Sequence, residues 1–160
     1  VLYQQLLDKA FNPAGTDAGD VVGLLEKLEQ VKPEHAYTQY ARLLVARVAV
    51  QDNRLEDAAS LLQAVVDKPA SPVLGELARQ RLARVLAATD QPEQALALLD
   101  GNGPEAYRAA RSELRGDLLV QLGRTADARK AYEQAREQMA DSSATGSLMM
   151  KLDDLSAGDA

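Results

Sequence analysis

The sequence has no cysteine and no tryptophan, and it contains only one phenylalanine and one histidine among 160 residues. Without cysteine there is no disulfide framework, no thiolate nucleophile and no thiolate-based zinc site. Aromatic residues make up 4% of the chain, whereas 46% of its residues are hydrophobic, chiefly alanine and leucine. Alanine and leucine are strong helix formers, while strands are enriched in aromatic and β-branched residues. The composition therefore favours close helix–helix packing over β-sheet layers.

Positive charge is also scarce. Eighteen basic residues face 24 acidic ones, giving a net charge of −6, which disfavours a broad nucleic-acid surface because phosphate binding needs concentrated lysine and arginine. No apolar run approaches the roughly 20 residues that span a bilayer, and the longest candidate is interrupted by Arg47. The chain begins at Val1 without an initiator methionine, which is compatible with an upstream signal or anchor segment, and composition alone does not decide this. The lack of cysteine is equally compatible with cytosol and periplasm.

Sequence signatures of catalysis are absent as well. The chain has no nucleophile-elbow, dinucleotide or Walker-type glycine motif. His35 follows Pro33 and Glu34 at a predicted helix start, where we expect a capping or solvated role. The Asp141–Gly146 stretch has a calcium-loop glycine position but has Leu152 where the bidentate glutamate belongs, so it is rejected as a site. The acidic loop around Asp17 and Asp20 is interpreted as a surface turn. We predict no enzyme activity, no cofactor and no metal.

Apolar residues recur three and four positions apart between regularly spaced breaks, which is typical of amphipathic helices. Asn53 followed by Glu56, and Asp90 followed by Glu93, match the spacing of N-terminal capping boxes. Gly123 matches the left-handed residue that ends a helix. The pattern predicts helices over residues 1–10, 18–31, 34–51, 54–67, 72–89, 92–100, 104–121, 125–140 and 146–155. Short connections make consecutive helices antiparallel neighbours.

The predicted helices repeat in pairs. Ala58, Ala95 and Ala128 each open the second helix of a pair, and they are separated by 37 and 33 residues, close to the period of about 34 residues of tetratricopeptide (TPR) repeats. The last pair also has a small residue in its first helix, a turn glycine, an aromatic one turn into its second helix and a closing alanine: Gly116, Gly123, Tyr132 and Ala135. In these positions the chain resembles the TPR family.

This resemblance implies an all-α fold, a TPR-like α-solenoid of antiparallel helix hairpins with a C-terminal capping helix. We expect residues 1–160 to form a single TPR-like domain. It would begin with an N-terminal helical pair at 1–33, continue through hairpins at 34–69, 70–102 and 103–140, and end on the capping helix at 146–155.

Three segments carry a narrower resemblance: Leu148 to Leu155 with its Met-Lys-Leu-Asp-Asp-Leu run, Tyr40 to Val50, and Glu113 to Asp117. Together they resemble the periplasmic domain of the YfgM family, ancillary subunits of the bacterial SecYEG translocon. The resemblance implies an upstream transmembrane anchor, a place at the periplasmic side of the inner membrane, and partners comprising SecYEG, the membrane-anchored chaperone PpiD and emerging polypeptides. An alternative is a soluble TPR scaffold of another cytosolic or envelope assembly.

Stacked TPR repeats create a groove lined by the first helix of each repeat, which suits an extended or helical peptide. Carried over from the family, the groove positions in this sequence are Tyr40, Leu43, Arg47, Val50, Leu77, Gln80, Arg84, Glu113, Asp117 and Val120. Arg47 and Arg84 occupy the same place in successive repeats and would form a short basic ladder. A second interpretation is that the groove charges pair with one another and only keep the surface soluble.

Overall fold

The computed structural model describes residues 1–11, 18–139 and 146–157, and within these ranges the chain is helical with no strand. The helices are α1 (Leu2–Phe11), α2 (Ala18–Val31), α3 (Ala36–Gln51), α4 (Leu55–Asp67), α5 (Pro72–Ala88), α6 (Pro92–Leu98), α7 (Arg108–Gln121), α8 (Thr125–Gln138) and α9 (Gly146–Ala157). The predicted all-α, TPR-like fold is confirmed. The largest difference in bounds is at α7, because a 3-10 turn over Glu105–Tyr107 precedes it.

The chain forms two compact units, Val1–Val85 and Leu86–Ala160, which we call unit 1 and unit 2. Unit 1 holds α1 to α4 and most of α5, and unit 2 holds α6 to α9. The division of residues 1–160 into one TPR-like domain with five segments stays a prediction.

One part of the core of unit 1 forms where α1 and α2 cover α3. Leu6 of α1 and Val21 and Leu25 of α2 are buried against Ala41 and Val45 of α3. A leucine buried in this way contributes about 1.5–3 kcal/mol through the area it removes from water. Small residues on α3 let the N-terminal pair approach closely, so α1 and α2 are an integral layer of unit 1.

A buried amide ties the end of the α3–α4 hairpin back to α3. Gln39 is almost fully buried, and its side chain donates to the carbonyl of Lys68 at 2.7 Å and accepts from the backbone N–H of Ala70 at 2.8 Å. Both polar ends of the amide are therefore satisfied, as a buried polar group requires.

The three hairpin turns share one backbone geometry. Asn53, Asp90 and Gly123 all have positive φ, of 58°, 60° and 70°. This left-handed region is open to glycine and tolerated by asparagine and aspartate. In each turn the next residue donates its N–H back to a carbonyl five positions earlier, for example Arg124 to Leu119 at 2.8 Å. The predicted C-terminal role of Gly123 is confirmed.

The predicted capping boxes at Asn53 and Asp90 are wrong. The N-cap positions are the following residues, Arg54 and Gln91, and neither uses its side chain as a cap. A capping box would have the side chains of Asn53 and Asp90 accept hydrogen bonds from backbone N–H groups in the first turn of the next helix. Instead, both residues end the preceding helix with their backbones in the left-handed conformation. Asparagine and aspartate suit both tasks, so the sequence pattern alone did not separate them.

The repeat alanines are fully buried near the start of the second helix of each pair. Ala58, Ala95 and Ala128 have no solvent exposure, and each N–H makes the first intrahelical hydrogen bond of its helix. In unit 2 the Tyr132 ring lies against Gly116, where an added Cβ would overlap it. The small residues thus create the space that the aromatic fills.

The C-terminal helix α9 covers the end of unit 2. Leu148 and Leu152 are buried against Tyr132 and Ala135 of α8, and Arg129 of α8 donates to the carbonyl of Leu155 at 3.1 Å. This packing confirms the predicted capping helix. Among the described residues, no helix combines the length and apolarity needed to cross a membrane.

Candidate functional site

Seven of the predicted groove residues lie in unit 1. Tyr40 and Val50 of α3 are each 42% exposed, whereas Leu43 is only 3% exposed and lies in the interior. On α5 Leu77 is half-buried and Gln80 is 6% exposed. Gln80 donates to Glu76 at 2.9 Å, inside the helix packing. The surface of unit 1 therefore presents Tyr40, Val50 and the predicted arginines and keeps Leu43 and Gln80 inside.

Arg47 is held by an aromatic ring of the N-terminal helix. Its guanidinium carbon lies 4.7 Å from the centroid of Phe11 at the end of α1. An arginine over a ring face gains a cation–π attraction and presents its charge in a fixed place on α3. Phe11 itself remains largely exposed, so the pair forms an apolar and cationic surface element.

Arg81 is a third arginine on this surface, and it is not among the groove positions carried over from the TPR family. Its Nη1 donates to the carbonyl of Leu43 at 3.4 Å. This hydrogen bond places the Arg81 side chain against α3, the helix that carries Arg47. Burial lowers the pKa of the Arg81 guanidinium, and the nearby charges of Arg47 and Arg84 lower it further. Arg47 and Arg84 therefore each lie within electrostatic reach of Arg81. We call Arg47, Arg81 and Arg84 the basic cluster.

A second exposed surface of unit 1 lies at its N-terminal end. The rings of Tyr3 and Tyr37 are 5.1 Å apart, and Tyr37 also contacts His35 at 5.0 Å. These residues border a mostly apolar cavity of about 390 Å³ that Val31 also lines. Burial raises the pKa of Tyr3, and the neighbouring Tyr40 and Tyr37 raise it further. The cavity is a hydrophobic recess with hydroxyl groups at its edge.

His35 has the capping role expected of it. Its Nδ1 accepts from the backbone N–H of Tyr37 at 3.2 Å at the start of α3. Asp20, at the start of α2, pairs with Lys9 of α1, while Asp17 and residues 141–145 lie outside the described residues. No cluster of three or more metal-ligating side chains occurs in the described ranges.

The remaining three predicted groove residues lie on α7 in unit 2, and two of them, Glu113 and Asp117, form hydrogen bonds with a side chain of α9. Lys151 donates to Glu113 Oε1 at 2.7 Å and to Asp117 Oδ2 at 3.0 Å. Burial alone would lower the pKa of Lys151, but its hydrogen bonds to Asp117 and Glu113, helped by their charges, raise it. We call Lys151, Glu113, Asp117 and Tyr132 the C-terminal clamp.

Tyr132 completes the clamp beneath the lysine. Its hydroxyl donates to Asp117 Oδ1 at 2.7 Å, and Lys151 lies 5.6 Å from the centroid of its ring. Burial raises the pKa of Tyr132 strongly, and the hydrogen bond and charge of Asp117 raise it further. Glu113 and Asp117 thus hold the capping helix in place, and Val120 stays exposed one turn beyond them.

Sequence reasoning missed Arg81 and Lys151. Arg81 lies four residues after Leu77 and three before Arg84, so helical spacing alone places it beside the predicted groove face. Lys151 carries no such local signal, because its partners lie 38 and 34 residues earlier. Only the packing of α9 brings these charges together.

Known proteins match the chain over most of its length. The tetratricopeptide repeat-like domain family matches residues 1–157. A protein named ancillary SecYEG translocon subunit from Neisseria gonorrhoeae is 30% identical over 151 residues, which cover 94% of this chain and 71% of that protein. A protein of the same name from Escherichia coli is 31% identical over 123 residues, covering 77% of this chain and 60% of that protein.

A solved structure described as the functional characterization of Pseudomonas aeruginosa PilF also aligns with the chain. The alignment covers 98% of this chain and 86% of the PilF chain, with a TM-score of 0.49 and 16% identity.

Proposed function

The chain belongs to the tetratricopeptide repeat-like family of ancillary SecYEG translocon subunits, and from this premise we propose that it is a protein-interaction domain acting at the SecYEG translocon. It would bind other proteins reversibly as an adaptor, without chemical turnover. The family membership is the observation that carries the proposal, because both relatives are named as translocon subunits.

The finer part of the proposal concerns location and partners. In line with the YfgM resemblance of its sequence, the domain would act on the periplasmic side of the bacterial inner membrane, tethered by an N-terminal anchor. Its partners there would be SecYEG itself, the chaperone PpiD and polypeptides emerging from the channel.

The surface of unit 1 supports a binding role. It combines exposed aromatic and aliphatic side chains with arginines: Phe11, Tyr40, Val50 and the basic cluster. Aromatic residues and arginine are enriched at protein interfaces and dominate their energetics. In unit 2 the predicted α7 acids are engaged by Lys151, so we assign partner contact to the unit 1 surface.

Site-specific photo-crosslinking in membranes tests this proposal. The full-length natural protein would carry a photoreactive side chain in place of exposed Val50, or, as the matched control, in place of Glu133, which is exposed on α8. We expect Val50 to give crosslinks to a translocon subunit or PpiD, and Glu133 to give few.

The contrary outcome is equally specific. If neither position crosslinks to the translocon and affinity purification of the full-length protein recovers a different assembly, the translocon adaptor is wrong and a TPR scaffold of that other assembly replaces it. Crosslinks to the translocon from Glu133 alone would move the docking surface to unit 2 and overturn its assignment to unit 1.

A further inference from the structure

The basic cluster is out of keeping with the charge of the whole chain. The protein carries a net charge of −6, yet in unit 1 Arg47 of α3 and Arg84 of α5 both lie near Arg81, which also contacts α3 through the Leu43 carbonyl. Like charges repel, and an acidic partner would relieve the repulsion among these arginines. A local concentration of positive charge on a chain of negative net charge favours the binding of an acidic ligand at that place.

The hydrogen bonds of Arg81 and Arg84 lead to backbone carbonyls. Arg81 donates to the Leu43 carbonyl at 3.4 Å, and Arg84 donates to the Gln80 carbonyl at 3.3 Å. Within the described part of unit 1, neither Arg81 nor Arg84 forms an ion pair. A guanidinium has five N–H donors in a planar fork, so each of these two arginines keeps donors for a further acceptor.

Apolar side chains flank the cluster. Phe11 stacks on Arg47, and Val50 lies three residues beyond Arg47 on the same side of α3, with 42% of its surface exposed. Tyr40 lies seven residues before Arg47, two turns away along the same helix face. Apolar side chains therefore accompany Arg47 along about three turns of α3.

We propose that this surface binds an acidic polypeptide segment in which aspartate or glutamate side chains alternate with apolar ones. The carboxylates would pair with Arg81 and Arg84, and the apolar residues would pack on Phe11 and Val50. Arginine binds carboxylates through two parallel hydrogen bonds, which fixes orientation as well as charge. The inference rests on the proposed adaptor function and names the chemistry of its partner.

Fluorescence anisotropy with two synthetic peptides tests the inference directly. One labelled peptide of about 12 residues alternates glutamate with leucine, serine and alanine, and its partner has glutamine at every glutamate position. We expect the glutamate peptide to bind the 160-residue chain at least about tenfold more tightly than the glutamine peptide, and to lose affinity between about 50 and 300 mM NaCl.

Charge reversal locates the binding. The double variant Arg81→Glu with Arg84→Glu should lose about tenfold or more in affinity for the glutamate peptide. The matched control is Arg108→Glu with Arg136→Glu, which reverses two exposed arginines of unit 2 and changes the net charge equally. The control should bind within about twofold of the parent. Circular dichroism must show unchanged helicity in both variants, and Val50→Ser supplies an uncharged test of the apolar contact.

Three outcomes overturn the inference. The first is equal binding of the two peptides, and the second is an equal loss of affinity in the two double variants. The third is binding to phosphatidylglycerol vesicles that is lost in the Arg81 and Arg84 variant while neither peptide binds, because the cluster would then recognise lipid. Each is distinct from failure of the proposed function, since crosslinking of Val50 to the translocon would persist without a preference for acidic segments.

Discussion

At the scale of single residues, Gly116 shows how one missing side chain sets the packing of a hairpin. A Cβ at this position would overlap the Tyr132 ring. Gly116→Ala gains about 0.5–1 kcal/mol of helix propensity, but overpacking costs about 1–3 kcal/mol. We expect a net loss of unfolding free energy in urea denaturation.

Gly23 provides the matched control for Gly116. It lies inside α2, and a Cβ there would meet nothing within 4 Å. Gly23→Ala should therefore stabilise the protein by up to about 1 kcal/mol. If both substitutions stabilised equally, the Tyr132 ring would not need the space that Gly116 leaves.

Ala128 tests the register of the repeats. It is fully buried beside Leu119 and Ala131, so Ala128→Leu should cost about 1–3 kcal/mol through overpacking. Ala126 lies two residues earlier on the same helix and is exposed, and Ala126→Leu should leave the melting temperature almost unchanged. A melting temperature of the Ala128 variant equal to that of the parent would contradict the assigned register.

The C-terminal clamp predicts a loss of stability in alkali. Lys151 and Tyr132 both have a raised pKa in the folded protein, so each contributes stability that is present below its unfolded pKa, about 10.4 for lysine and about 10 for tyrosine. That contribution is lost as the pH rises further, because the unfolded chain releases these protons first. Thermal unfolding between about pH 8 and pH 11 measures the effect.

Lys151→Gln should lower the melting temperature at pH 8 and flatten its decline above about pH 10. Lys130→Gln makes the same chemical change at an exposed position of α8 and should keep the slope of the parent. Parallel declines in all three proteins would mean that the clamp does not govern alkaline stability.

At the scale of elements, α9 is the part whose removal has the clearest consequence. Deleting residues 146–160 would uncover Tyr132, Ala135 and Met139 and remove two buried leucines, each contributing about 1.5–3 kcal/mol. We expect a lower melting temperature and association visible in size-exclusion chromatography, because a terminal repeat needs a covering element. Met150→Ser, on the exposed side of α9, should change neither property.

If the truncated chain instead melted like the parent and stayed monomeric, α9 would be dispensable for the fold. Its exposed Met149 and Met150 would then point to a partner-binding helix.

Most helix bounds were predictable because helical periodicity and proline positions are local signals. Pro72 and Pro92 each begin a helix, where a missing N–H costs nothing. The roles of Asn53 and Asp90 were not predictable, because asparagine and aspartate fit both the end of one helix and the start of the next. The burial of Leu43 and the pairing of Lys151 with Glu113 of α7 depend on tertiary contacts that no local pattern specifies.

At the scale of the whole molecule, the motif at Leu148 to Leu155 was the most informative part of the sequence. The resemblance of the chain to the YfgM family, for which we take this motif as the most specific sign, is confirmed by the two named relatives. In the structure the same run supplies Leu148, Lys151 and Leu152, which attach α9 to α8 and α7. The most family-specific segment is thus a packing element, and the candidate binding surface lies on unit 1.

The net negative charge of the protein repels a polyanion, whereas the basic cluster attracts one. This difference leads to a last prediction. A chain with a net charge of −6 and a pI of about 4.8 repels a long polyanion, which samples the field of the whole molecule. A short acidic peptide samples chiefly the basic cluster, because charges farther away than about 8 Å are screened at physiological salt.

We therefore expect a duplex DNA of about 20 base pairs to show no binding in anisotropy at about 150 mM NaCl, whereas the glutamate peptide binds. Lowering the pH toward 5 neutralises much of the net charge but leaves the arginines charged, so weak DNA binding should emerge there and be reduced by the double variant of Arg81 and Arg84. Tight DNA binding at neutral pH would mean that the positive surface extends well beyond three arginines. In that case selection of acidic polypeptides could not rest on the basic cluster alone.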